Sequence, residues 1–156
     1  MTDTEHAHQL CTFRVGELVL GVEVTRVQEV LRHQEMTPVP LAPGVVSGLI
    51  NLRGQIVTAL DMRQRLGVGP RPAGELPMNV VVRHDEGVVS MLVDEIGDVV
   101  DVEEAAFEPP PATLSPLSKA LVQGVYKLDR QLLLLLNTEL AIRVAHKTDD
   151  EGSQHG

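Results

Sequence analysis

Apolar and polar positions alternate with a period of two through most of the chain, and the period lengthens in only a few short places. Phe13 and Val15 alternate with Thr12 and Arg14. Past a turn at Gly16, Leu18, Leu20 and Val22 alternate with Glu17, Gly21 and Glu23, which predicts strands over 9–15 and 17–24. The spacing then changes. Val24, Val27, Val30 and Leu31 fall at i, i+3, i+6 and i+7, which predicts a helix over 25–32 with Thr25 and Gln28 as its capping box. Residues 33–43, with Pro38, Pro40 and Pro43, read as a rigid extended loop. Residues 44–52 and 55–60 form the next hairpin. Asp61, with Gln64 three residues on, caps a short helix over 62–66 that Gly67 stops.

The Gly- and Pro-rich segment 67–77 is the best boundary in the chain. Beyond it, 78–83 and 87–93 read as a hairpin around Asp85-Glu86-Gly87, and 94–102 as a brief turn leading into a strand. Residues 107–116 are a loop holding Pro109-Pro110-Pro111. Residues 121–128 and 131–136 form a last hairpin, and Asn137 caps a short helix ending near Val144. The expected organisation is a flexible N-terminus (1–8), a first β unit (9–72), a second (73–145) whose terminal strands can cross to the first, and a flexible C-terminus (146–156).

The two halves echo one another. With an offset of 76, Val46, Gly48, Gln55 and Asp61 fall on Val122, Gly124, Gln131 and Asn137. With an offset of 69, Val24, Val27 and Val30 fall on Val93, Ile96 and Val99. Shared glycine, glutamine and cap positions point to two related, small, barrel-like β units with little helix. A length of 156 residues suits that arrangement.

Composition narrows the functions open to the chain. The net charge is −9, and residues 85–108 hold nine acids with no Lys or Arg, a surface that repels phosphate backbones. The aromatic residues are Phe13, Phe107 and Tyr126 alone, too few for stacking bases. Nucleic acid is therefore not an expected partner. No apolar run approaches the ~20 residues that span a bilayer, and the first residues carry no apolar segment of a signal peptide. A single cysteine, Cys11, excludes an internal disulfide, and a cytoplasmic setting is expected.

Catalytic chemistry has little support. No two histidines have the i, i+4 spacing of a helical metal site, and Cys-x-x-Cys, nucleophile-elbow and phosphate-loop patterns are absent. The residue without a folding duty is Arg53. It sits in the turn of the 44–60 hairpin, where Asn51 and Gly54 have evident turn roles. Its counterpart in the echo is Asp129. A guanidinium fork suits a carboxylate, and Glu29, projecting from the predicted 25–32 helix, is the candidate acid.

Here the chain resembles the CheW family of bacterial chemotaxis coupling proteins. Gly48-Leu49-Ile50-Asn51-Leu52-Arg53-Gly54-Gln55-Ile56-Val57, running on to Asp61-Met62-Arg63, is similar to the family signature. Val27-Gln28-Glu29-Val30 is similar to its Val-Gln-Glu-Ile element, and Leu92-Val93-Asp94-Glu95-Ile96 to its second-half pattern. The resemblance runs from about residue 10 to 145. It departs at Ala59, where the family often has Pro, and mildly at Met62, where Leu is commoner. It implies a mainly β fold of two five-stranded SH3-like barrels packed around an apolar seam, with a few short helices. It also implies a non-catalytic, cofactor-free adaptor that joins the cytoplasmic tip of methyl-accepting chemoreceptors to the regulatory domain of the histidine kinase CheA. The receptor-facing residues it implies are Glu29 and Arg53, in the setting of Asn51 and Gly54, with Val27, Val30 and Leu52 as candidate groove residues. The same role in twitching or gliding pathways, or a small-molecule-binding barrel, are the alternatives.

Overall fold

In the computed structural model of the protein, residues 7–85 and 87–143 are described. They form β1 (Ala7–Val15), β2 (Leu18–Glu23), β3 (Val27–Leu31), β4 (Val46–Leu52), β5 (Gln55–Asp61), α1 (Met62–Leu66), β6 (Met78–His84), β7 (Gly87–Val93), β8 (Glu95–Glu103), β9 (Phe107–Glu108), α2 (Pro116–Leu121), β10 (Val122–Lys127) and β11 (Leu132–Leu136). A last helix, α3, covers 138–143. Its first turn is held by Asn137, whose side chain accepts from the Leu140 N–H at 3.1 Å. The expected helix end near Val144 and the segment 146–156 lie outside the described residues.

The strands form two sheets. The first has six strands in the order β8-β1-β2-β11-β10-β9, and the second has five in the order β3-β6-β7-β5-β4. The chain therefore passes between sheets twice, from β2 to β3 and from β7 to β8. The boundary expected at 72/73 falls within the run of chain that builds the second sheet, because β6 and β7 lie beyond it yet pair with β3 and β5. β1 begins at Ala7 rather than Gln9, since Ala7 and His8 pair with Glu103 and Val102.

The echo is visible in the pairing. Cys11↔Val22 and Phe13↔Leu20 in the first sheet become Val80↔Met91 and Val82↔Val89 in the second, 69 residues on. Leu31↔Asn79 in the second sheet becomes Val100↔Leu10 in the first. The parallel pair Thr58↔Val89 corresponds to Leu134↔Leu20. Both hairpins carry a bulge at the same place, between Val46 and Gly48 and between Val122 and Gly124. Even the bridge Thr37↔Leu49 has a counterpart, Glu108↔Val125, at the short outer strand β9. The repeat is thus intertwined: β1 and β2 of one copy stand in the sheet built with β8, β10 and β11 of the other.

The helix expected over 25–32 is absent. A single 3-10 turn, Val24–Arg26, leads directly into β3. The cause is a bulge between Val27 and Glu29 against Val82 and Val81. The extra residue, Gln28, brings Val27 and Val30, three apart, to the same side of the sheet as Val82 and Val80. A spacing of three read as helical is here a bulged strand. A helix the sequence pattern does not predict, α2, fills 116–121, between the expected 107–116 loop and the strand expected from 121. Its Ser115 cap accepts from the Ser118 N–H, with Pro116 at the first turn.

Asp61 caps α1 as expected, accepting from the Arg63 N–H at 2.9 Å and the Gln64 N–H at 3.3 Å. Gly67 ends the helix at φ 72°. The sheets pack on a common core: Phe13, Val15 and Leu20 of the first meet Leu60, Met62, Val80 and Met91 at the second. Each sheet also has its own apolar cluster, Ile50, Leu52, Val57 and Val81 in one and Leu10, Val102, Tyr126 and Leu133 in the other. With almost no rings available, branched aliphatics fill this mainly β architecture of two packed sheets.

Candidate partner-binding site

The β4–β5 hairpin closes on the pair Leu52↔Gln55, leaving a two-residue loop, Arg53-Gly54. Both residues have positive φ, 53° and 91°. That is the requirement of a type I′ turn, which matches strand twist and favours Asn-Gly or Gly-Gly. Gly54 adopts the conformation freely, while Arg53 is strained by about 1–2 kcal/mol. Asn51 steadies the loop by accepting the Gly54 N–H at 2.8 Å. The turn is well built except at Arg53, whose side chain remains 68 % exposed.

Arg53 donates to the Glu29 carboxylate. Glu29 comes from β3 rather than from the expected helix, so the pair forms for a different reason than its spacing implied. β3 and β4 are the two edges of the second sheet. The ion pair therefore ties the sheet's edges together, next to the Thr37↔Leu49 bridge. The hydrogen bond from Arg53 holds the Glu29 carboxyl below its ordinary range, against a smaller upward push from desolvation. In the first sheet the equivalents of Glu29 and Arg53 are Asp98 and Asp129, two acids that cannot pair. A cation at the first turn position is thus a property of one copy; the echo carries its arginine one residue on, as Arg130 in the place of Gly54.

The apolar candidates divide. Leu52 is 6 % exposed and belongs to the second sheet's own cluster. Val27 packs against the common core. Leu52 supports the turn from beneath, while Val27 and Val30 lie on the face of β3 opposite Glu29, Val30 being 42 % exposed. Ile56 is a residue that sequence reasoning missed. It lies opposite Asn51 and is 60 % exposed. With Val57 and Ala59 buried, alternation turns Ile56 outward. Beside the hairpin, Gln34, Glu35, Met36, Thr37, Leu49 and Asn51 line an open depression of about 430 Å³, with Glu35 its one charged residue. The assembled surface is an exposed cation, fixed by an acid and flanked by apolar side chains. It can dock a protein surface bearing carboxylates and aliphatic groups.

No cluster of His, Cys, Asp and Glu among the described residues is arranged to hold a metal ion. No helix among them is long and apolar enough to cross a membrane.

The family model described as the CheW-like domain matches residues 9–146. The chemotaxis protein CheW of Rhizobium meliloti (strain 1021) is 29 % identical over 136 residues, 87 % of this chain and 88 % of the relative. Protein FrzA of Myxococcus xanthus is 32 % identical over 99 residues, 64 % of this chain and 62 % of the relative. Among solved structures, that of scaffolding protein TtCheW from Thermoanaerobacter tengcongensis matches with a TM-score of 0.78 at 26 % identity, covering 88 % of each chain.

Proposed function

The chain belongs to the CheW-like domain family of non-catalytic chemotaxis scaffolds, and on that premise we propose that it couples the cytoplasmic tip of methyl-accepting chemoreceptors to the regulatory domain of the histidine kinase CheA. The observation that carries the reading is the Arg53 turn. A strained, exposed arginine whose ion pair faces solvent adds little to stability, and strain retained at a surface turn points to function. The receptor tip docks on the surface formed by Glu29, Asn51, Arg53 and Gly54, with Ile56 as a flanking apolar contact, Leu52 as its support, and Val27 and Val30 on the opposite face of β3. The protein works in the cytoplasm and reaches the membrane array only through these partners. Receptor state then alters how the kinase is held, and the adaptor passes on that geometry.

The test is co-sedimentation of kinase with receptor-bearing vesicles. Arg53→Glu keeps the circular dichroism spectrum of the wild type and lowers adaptor-dependent kinase recovery about tenfold, the scale of one lost interface anchor. Unchanged recovery would remove Arg53 from the site. Combining it with Glu29→Arg restores part of the recovery, because the pair re-forms with its charges exchanged. The likeness to FrzA favours a second reading, the same coupling in a non-flagellar chemosensory pathway. Loss of surface motility rather than swimming in a deletion strain would select it.

A further inference from the structure

The two sheets are joined by two chain crossings, and these crossings are built differently. At the first, between β2 and β3, the contacts are solvent-facing. Arg83 donates to the carbonyls of Thr25 and Val27 at 3.1 and 3.2 Å, and Arg26 pairs with Glu139 at 2.6 Å with both side chains more than a third exposed. At the second, one residue, Asp94, separates β7 of the second sheet from β8 of the first. Its N–H donates to the Arg14 carbonyl of β1 at 2.8 Å. Its carboxylate accepts the Gly16 N–H, in the β1–β2 turn, at 2.7 Å. The same carboxylate takes Arg63 of α1 in a fork, Nε at 2.9 Å to Oδ1 and Nη2 at 2.7 Å to Oδ2, and Arg71 of the following loop at 3.3 Å. Arg63 also donates to the Pro70 carbonyl at 2.9 Å. The Asp94 side chain is 7 % exposed, and those of Arg63 and Arg71 are 12 % and 15 %.

A single carboxylate thus gathers donors from the β1–β2 turn of the first sheet and from α1 and the α1–β6 loop, which lie within the run of chain that builds the second sheet. Thr25, the residue equivalent to Asp94 in the echo, offers only its carbonyl in the contacts found there. The apolar core between the sheets is held by a non-directional effect, whereas a forked Arg–carboxylate pair fixes an angle as well as a distance. The Arg63 fork and the Gly16 N–H engage both oxygens of Asp94, whereas Arg71 makes one longer contact and its buried Nε has no partner. Screening by salt reaches the exposed crossing more than the buried one.

We propose that Asp94, through Arg63, Arg71 and the Gly16 N–H, is the positioning residue that sets the angle between the two sheets, so that a partner held on one sheet keeps a fixed orientation to a partner held on the other. The second half of this statement rests on the coupling role proposed above. The first half stands without it, and the test separates them.

Spin labels at Gln55→Cys in the second sheet's hairpin and Asp129→Cys in the first sheet's hairpin report the inter-sheet distance, with the buried Cys11 left in place. Asp94→Asn is expected to broaden that distance distribution while the circular dichroism spectrum is kept. In the reconstituted system it is expected to leave the separate affinities for receptor vesicles and for the kinase regulatory domain within about twofold and to lower receptor-dependent kinase activation at least tenfold. An unchanged distribution overturns the proposal, and so does a parallel fall of both affinities with activation, which is the mark of a general loss of fold. Should Asp94→Asn fail to fold, Arg71→Gln removes only the 3.3 Å contact and is expected to move the same readouts less far in the same direction; no movement there is equally contrary. If the wild type itself couples nothing, the functional reading fails while the distance measurement still decides the clasp.

Discussion

Replacing Arg53 by asparagine separates folding from coupling at a single atom-rich position. The turn demands positive φ at residue 53, and the structure holds it at 53°. Placing an ordinary L-residue there is unfavourable by roughly 1–2 kcal/mol. Asparagine is enriched several-fold in this conformation, which corresponds to about 0.5–1 kcal/mol of relief. Against that stands the lost contact with Glu29, which is solvent-facing and therefore weak for stability. The expected balance is stability unchanged or raised. For a chain of this size 1 kcal/mol moves the melting temperature by about 2–4 °C, so Arg53→Asn is expected to melt between the wild-type temperature and about 4 °C above it. Kinase recovery with receptor vesicles is expected to fall as for Arg53→Glu, because the guanidinium is gone. Differential scanning calorimetry and co-sedimentation on one preparation give both numbers. A melting temperature more than about 4 °C below wild type would show that Arg53 serves the fold and would refute the reasoning. Full coupling by the asparagine variant would refute it from the other side.

Two further outcomes follow from the packing. Burial pushes the Asp94 carboxyl up, but the Arg63 hydrogen bond, the Gly16 N–H and the charges of Arg63 and Arg71 outweigh it and hold it below its ordinary 3.8. A lowered folded-state value contributes stability that is complete above the unfolded value and is lost as pH falls through the folded one. Thermal melts from pH 7 down to about pH 2 should therefore show a steeper acid loss in wild type than in Asp94→Asn, and parallel curves would contradict the clasp's electrostatics. At Gly124 an added Cβ would lie 2.3 Å from Phe107 Cζ and 2.5 Å from the Glu108 carbonyl, so Gly124→Ala must displace β9 and is expected to destabilise by about 1–3 kcal/mol, read from the denaturation midpoint.

Much of the architecture is legible because a half-buried strand writes its face into the sequence. The hairpins over 44–60 and 78–93, the Asp61 cap and the Gly67 stop are local signals, and each lies where expected. The segment 25–32 misleads because a bulge at Gln28 shifts the alternation by one and mimics a helical spacing. α2 is hidden by the prolines before it, although Ser115-Pro116 is itself a helix start. The contrast of Arg53 with Asp129 in the echo is enough by itself to single out the β4–β5 turn. The exposed Ile56 is recognised only once the inward direction of Val57 is known. Asp94 and Arg63 stand in the family-like motifs, but their meeting with Gly16 and Arg71 is not legible in the sequence, since it occurs only where the chain crosses between sheets and no local period records that crossing.

The coupling role is tested most directly by capturing the tagged protein from its own cells, crosslinking mildly, and identifying what accompanies wild type and Arg53→Glu. The account predicts a chemoreceptor and a CheA-type histidine kinase together on the wild-type protein, with the receptor depleted about tenfold on the variant. Wild-type protein that brings down neither, or a variant that retains both in full, would contradict it.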